Sequence, residues 1–245
     1  MKQRILLSVI LCALLSLPLS AMSAEQIIEE MDRVETFRTS SSSGRIITND
    51  RFGEKVSEFI AYSRGTEDSL IEFTSLAERG QKILRTQKNL YLFYPDANEL
   101  IRLQGAALRQ SLLGSDISYE DMTSEHSTLD DYDASLEGTE TYEGREVYVV
   151  KLKGKTRKVA YPTQVLYIDT ETFLVWKGEY STSSGRLLKE MTVLETMELD
   201  DRVIPRRSKI VDVMKSDSYT IMEIDSIETD IPLAGDFFSL DNLTW

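Results

Sequence analysis

Any histidine chemistry in these 245 residues falls to His126, which stands in Thr123-Ser124-Glu125-His126-Ser127-Thr128 with no nucleophile elbow nearby. It reads as an exposed loop residue. The single cysteine, Cys12, lies in the apolar N-terminal run, so removing that run leaves no thiol for catalysis or for a disulfide. Zinc would lack nitrogen and sulfur ligands for the same reason. Two groups of acids gather oxygens: Asp116, Glu120 and Asp121, then Asp130, Asp131 and Asp133. Neither has the spaced ligands and central glycine of a calcium loop, so both read as helix caps or solvated acidic loops. Nothing positively supports a carboxylate pair for glycoside cleavage. The run Lys153-Gly154-Lys155-Thr156-Arg157-Lys158, followed by Tyr161, reverses the local charge. It suits a lipid headgroup, an acidic partner or simply a solvated hairpin tip. These residues name no catalytic group, no metal and no cofactor, and the expectation is a binding protein, not an enzyme.

The formal charge is −13. So acidic a chain repels phosphate backbones, which argues against nucleic acid, and as a whole it has no electrostatic hold on an anionic membrane. Residues 1–24 read as an export signal: Lys2 and Arg4, an apolar run from Ile5 to Leu17, then Ser20-Ala21-Met22-Ser23-Ala24, with cleavage expected after Ser23 or Ala24. The apolar run is too short for a stable span, so the mature form is expected to have none. Residues 25–245, about 220 in number, suit one β-rich domain with a sizeable core, and no Pro/Gly-rich linker divides them.

The elements that would position a binding surface centre on residues 88–122. Leu90-Tyr91-Leu92-Phe93-Tyr94 is apolar on both alternating faces, so a strand there needs cover on each side. Pro95 ends it, Asp96-Ala97-Asn98-Glu99 turns, and Leu100-Ile101-Arg102-Leu103 returns. The spacing of Leu108 and Leu112 then predicts a helix over 106–113 stopped by Gly114, with Ser115 or Asp116 capping a second short helix. An amphipathic helix is expected over 25–34, with Ile27, Ile28, Met31 and Val34 on its apolar face. From Gly44 onward short strands alternate with polar turns, about eleven in all, and so many sequential antiparallel strands must curl, close or split into layers.

The same stretch carries a resemblance. Asn89-Leu90-Tyr91-Leu92-Phe93-Tyr94-Pro95 with Leu112-Leu113-Gly114-Ser115-Asp116-Ile117-Ser118-Tyr119-Glu120-Asp121 resembles the bacterial outer-membrane lipoprotein-sorting proteins, relatives of the periplasmic Lol-type lipoprotein carrier. Ser69-Leu70-Ile71-Glu72-Phe73-Thr74 and Phe237-Phe238-Ser239-Leu240 are similar to the family's pattern too. The resemblance implies a mainly β (α+β) fold: a curved antiparallel sheet forming an incomplete β-barrel, with helices covering its concave side. It also implies a periplasmic location and an apolar cavity that shields acyl chains of lipid or lipoprotein and hands them on, as accessory to a multi-span membrane transporter. The alternative it leaves open is an envelope sensor that binds a lipoprotein or polypeptide without transport. In the family an arginine in the strand just before the lid region helps latch the lid; this chain has Glu72 there, so closure must use other contacts.

Strand alternation supplies the expected cavity wall: Ile71 and Phe73, Tyr91 and Phe93, Ile101 and Leu103, with Leu108 and Leu112 from the helical cover. The wall is expected to stay apolar and unfilled until a guest arrives.

Overall fold

The computed structural model describes residues 22–122 and 127–243. His126, and the export signal up to residue 21, lie outside the described residues. Helix α1 (Ala24–Glu35) starts at Ser23, whose hydroxyl accepts from the Gln26 N–H while the Gln26 side chain accepts from the Ser23 N–H, a reciprocal capping box. Six strands follow: β1 (Ser40–Asp50), β2 (Gly53–Arg64), β3 (Asp68–Phe73), β4 (Lys82–Thr86), β5 (Asn89–Tyr94) and β6 (Glu99–Leu103). After an irregular segment with the short helices α2 (Tyr119–Met122) and α3 (Thr128–Asp131), seven more complete the sheet. They are β7 (Tyr132–Tyr142), β8 (Arg145–Gly154), β9 (Thr163–Asp169), β10 (Val175–Ser181), β11 (Leu187–Leu199), β12 (Arg202–Asp212) and β13 (Tyr219–Thr229). A last turn, α4 (Leu240–Leu243), ends the described chain.

All thirteen strands among the described residues form one antiparallel sheet, ordered β6 to β1 and then β13 to β7, open at both edges. The expectation of about eleven undercounts; even β4 and β6, at five residues each, are full members. The two meanders join at one seam, where β1 pairs with β13 from Ser40 opposite Thr229 to Asn49 opposite Tyr219. The seam slips by a residue between Ser43 and Gly44. A Cβ on Gly44 would lie 2.3 Å from the Glu223 carbonyl oxygen and 2.9 Å from the Phe59 ring, so only glycine allows the strands to approach there.

Register assigns every side chain to a face. On the concave face, α1 buries Ile27, Ile28 and Met31 against Val150, Leu152, Leu166 and Ile168 of β8 and β9. Arg202 fixes the far end of that helix by donating to the carbonyls of Arg33, Val34 and Thr36 at 2.7–3.1 Å, which satisfies acceptors a helix C-terminus leaves free. The 105–122 segment covers the other half, against Phe59, Phe73, Ile83 and Leu92. The convex face has a cover that the expectation of concave helices alone omits. Phe237, Phe238 and Leu243 lie over Tyr62, Leu70, Leu84, Tyr91 and Phe93, so β5 is apolar on both faces because each is packed. Truncating that cover, Phe238→Ala, is expected to lower unfolding free energy by roughly 3 kcal/mol. A denaturant midpoint that scarcely moves would show the C-terminal segment to be an ornament on a sheet stable without it.

Candidate functional site

The concave cover over 105–122 is not the regular helix that leucine spacing predicts. It is two short 3₁₀ turns, Gly105–Arg109 and Leu112–Gly114, followed by α2. Leu113 and Gly114 both take positive φ, 52° and 84°, and reverse the chain. Ser111 and Ser118 then pair across the loop, and the Leu112 N–H donates to the Ile117 carbonyl at 2.8 Å. This closed loop drives Leu112, fully buried, and Ile117 into the sheet beside Phe73, Ile83 and Leu92. Ser118, not Ser115 or Asp116, caps α2: its hydroxyl accepts from the Asp121 N–H at 3.1 Å, and the Asp121 carboxylate accepts from the Ser118 N–H at 2.8 Å.

Two carboxylates of this loop pin it to the other half of the molecule. Asp116, only 2% exposed, accepts from the hydroxyls of Ser218 at 2.8 Å and Thr220 at 2.9 Å, while its own N–H donates to the Thr220 oxygen at 2.8 Å. Lys215 stands 3.7 Å from the same carboxylate and donates to the Gly114 and Ser115 carbonyls. Five residues on, Asp121 pairs with the buried amine of Lys189 and accepts from the Tyr161 hydroxyl at 2.8 Å. Burial, and then the charge of Asp121, push the Tyr161 phenol far above its ordinary range, so it remains a donor. Tyr161 is itself held against Tyr180, ring centroids 4.9 Å apart. Asp116 and Asp121 are therefore latch residues, not the solvated acids or simple helix caps that their sequence suggests. Burial also pushes Glu120 above the ordinary carboxyl range; Arg109, 3.7 Å away, opposes the shift and neighbouring Asp121 adds to it.

Glu72 takes no part. It lies on the convex side of β3, 3.9 Å from Lys82. An arginine does lie on the concave face one strand over, the buried Arg85, whose charge also acts on Glu120.

Of the residues expected to line a cavity, Ile71, Phe73 and Leu112 meet in the buried cluster under the loop, with Ile101, Leu103 and Leu108 part-buried around it. Tyr91 and Phe93 do not join them, because successive strand residues alternate: Leu90 and Leu92 face the loop while Tyr91 and Phe93 face the C-terminal segment. Alternation alone should have separated the pairs, but the choice of concave face needed the register. The space under the loop is filled, not open. A residual hollow of about 10 Å³ lies between Phe73, Ile83, Leu92 and the lid residues Leu112 and Tyr119. A larger cleft, about 730 Å³, opens at the opposite end of the sheet among polar groups including Arg64, Glu67, Asp68 and Lys88. Its lining suits no acyl chain. Chemically, then, the site offers an apolar wall beneath a cover held by polar contacts at its edge.

If those contacts hold the loop, Lys189→Met should speed amide exchange across 105–122 by at least about tenfold while β1, β2 and β13 keep their protection. Uniform acceleration through the whole sheet would instead mean that the pair only adds to global stability.

A family model described as "Uncharacterized protein" matches residues 65–245. No curated protein matches the chain. Among solved structures, a DUF1329 family protein from Desulfovibrio piger is 23% identical with a TM-score of 0.81, covering 89% of this chain and 96% of its own. A LolA superfamily protein from Nitrosomonas europaea is 26% identical with a TM-score of 0.77, covering 91% of this chain and 100% of its own. An outer membrane lipoprotein-sorting protein domain from Vibrio parahaemolyticus is 18% identical with a TM-score of 0.82, covering 91% and 98% respectively. The first and third speak for the fold alone.

Proposed function

Since this chain belongs to a LolA-like family, we propose that it is a periplasmic carrier that receives the acyl chains of a lipid or lipoprotein on the concave wall beneath the 105–122 loop and passes them on. The observation that carries the reading is the construction of that loop: an apolar plug, Leu112 and Ile117, held in place at its edges by Asp116 and Asp121. A cover meant to stay would be expected to pack as a long helix with its own hydrogen bonds. This one holds on through side chains of the distant half-sheet, and they release it without unfolding a strand.

Magnitudes permit the exchange. An acyl chain of about sixteen carbons gains of order 10 kcal/mol when shielded, at ~0.8 kcal/mol per methylene. Exposing Leu112 and Ile117 costs roughly 1.5–3 kcal/mol each. A guest can therefore displace the plug and also loosen the latches. Ile71, Phe73, Ile101, Leu103, Leu108 and Leu112 are the proposed ligand-contacting residues; Tyr91 and Phe93, on the convex side, are left out. Transfer to a multi-span transporter is part of the same proposal and rests on the family likeness.

Protein purified without detergent is expected to retain lipid detectable by mass spectrometry, or to take up an apolar dye that long-chain fatty acid displaces. Asp121→Asn should admit the dye several-fold faster than the unaltered chain. Stoichiometric capture of a polypeptide with no lipid and no dye uptake would replace the carrier by an envelope sensor.

A further inference from the structure

The end of the sheet that holds the loop carries a second set of features that the carrier reading does not use. Strand directions place the β1–β2, β3–β4, β12–β13 and β8–β9 turns at this one rim. Three of these tips expose a large apolar side chain. Phe52 is 83% exposed, Leu76 85% and Met214 58%, the three most exposed large apolar side chains among the described residues, and all three stand at this rim. Each has a cation on the same turn: Arg51 lies 4.7 Å over the Phe52 ring, Arg79 follows Leu76, and Lys215 follows Met214. The fourth tip is the basic run, where Lys155, Arg157 and Lys158 are exposed.

Acids are present too. Asp50, Glu54, Asp212 and Asp217 share the rim, and Asp96 and Glu99 stand on the β5–β6 turn at the same end, while Glu78 is buried and neutralised by Lys55 at 2.8 Å. The rim is thus of mixed charge within a chain of −13, with its cations gathered at the β8–β9 tip. It is where the acidic chain can approach an anionic surface with least repulsion.

We propose that this rim is a bilayer-docking edge: Phe52, Leu76 and Met214 enter the headgroup layer while the β8–β9 tip meets anionic lipid. The apolar groups sit on separate hairpins with polar residues between them. A protein partner would need three matched pockets, whereas a bilayer accepts apolar side chains at any lateral spacing and lets the neighbouring cations stay at the headgroups. The docking edge is also continuous with the cover. Leu113 and Gly114 line a hollow of about 220 Å³ together with Phe52, and Lys215, next to Met214, donates to the Gly114 carbonyl at 3.2 Å. A membrane that draws in these tips acts directly on the turn of the loop.

Flotation with vesicles tests this, using residues 22–245 so that the apolar leader contributes nothing; all the described structure lies within them. The chain should float with phosphatidylethanolamine–phosphatidylglycerol vesicles. Combined Phe52→Ser, Leu76→Ser and Met214→Ser substitutions should lower the bound fraction at least about tenfold. Arg157→Glu with Lys158→Glu should weaken binding to these vesicles but leave binding to pure phosphatidylcholine unchanged. Circular dichroism and dye uptake unaltered in the triple variant would establish that the fold and the concave site are intact, so that failure at the rim is separable from failure of the carrier reading. The proposal is overturned if the unaltered chain floats with neither vesicle, or if the triple variant floats equally well. It is likewise overturned if the tips prove to be needed only for capture of a polypeptide.

Discussion

The backbone pairing of β1 with β13 is the constraint on which the other features rest. Those strands lie some 180 residues apart in sequence, and their ladder makes one sheet of two meanders that would otherwise each end in an open edge. The concave cover depends on the join more than the strands do. The loop emerges from β6, at the far edge of the first meander, yet Thr220 and Ser218 beside β13, Lys189 of β11 and Tyr161 before β9 are what hold it. A slip of one residue at the seam would turn Thr220 to the convex face and leave Asp116 buried without its partners. Gly44 works against such a slip, since the bulge there accepts no side chain.

The cover combines two interactions that respond differently to a guest. Apolar burial of Leu112 and Ile117 is non-directional, so any lipid chain of similar shape can substitute for it. The contacts of Asp116 and Asp121 are directional, and nothing apolar can replace them. On the carrier reading proposed above, together they would let a lipid compete for the wall while leaving the closed state with a defined geometry to return to. The polarity is one-way at this edge: the loop carries the carboxylate and the sheet carries the cation, Lys189.

Much of this was legible in the sequence, and what was not has physical reasons. The pairing of neighbours within each meander follows from alternation and turn chemistry, though the β1–β13 seam does not, and the two-faced apolarity of β5 announces that both sides of the sheet are covered. The helix predicted over 106–113 fails because leucine spacing of four is also met by two consecutive 3₁₀ turns, and because Leu113, not Gly114 alone, takes the left-handed conformation. The latch was illegible for a different reason. Asp116 and Asp121 look like solvated acids until Thr220 and Lys189, 104 and 68 residues away, are placed beside them, and no local pattern encodes that distance.

The expectation of an unfilled wall is not met beneath the loop, and the cost of an empty hollow gives a physical reason. An empty apolar hollow of about 300 Å³, the low end for a ligand site, costs about 7 kcal/mol at ~24 cal/mol per Å³. A domain of this size has only about 5–15 kcal/mol of net stability to draw on. Holding the hollow open would spend most of that, and water, which the apolar wall cannot satisfy, would not fill it. A plug removes the difficulty: Leu112 and Ile117 occupy the wall, and on the carrier reading proposed above they would withdraw together as a guest arrives. On this view capacity for a ligand is not to be sought in the volume of a hole in the unliganded chain. It lies in the difference between what the plug gains from the wall and what a longer acyl chain would gain from it, with the two carboxylate latches setting how large that difference must be.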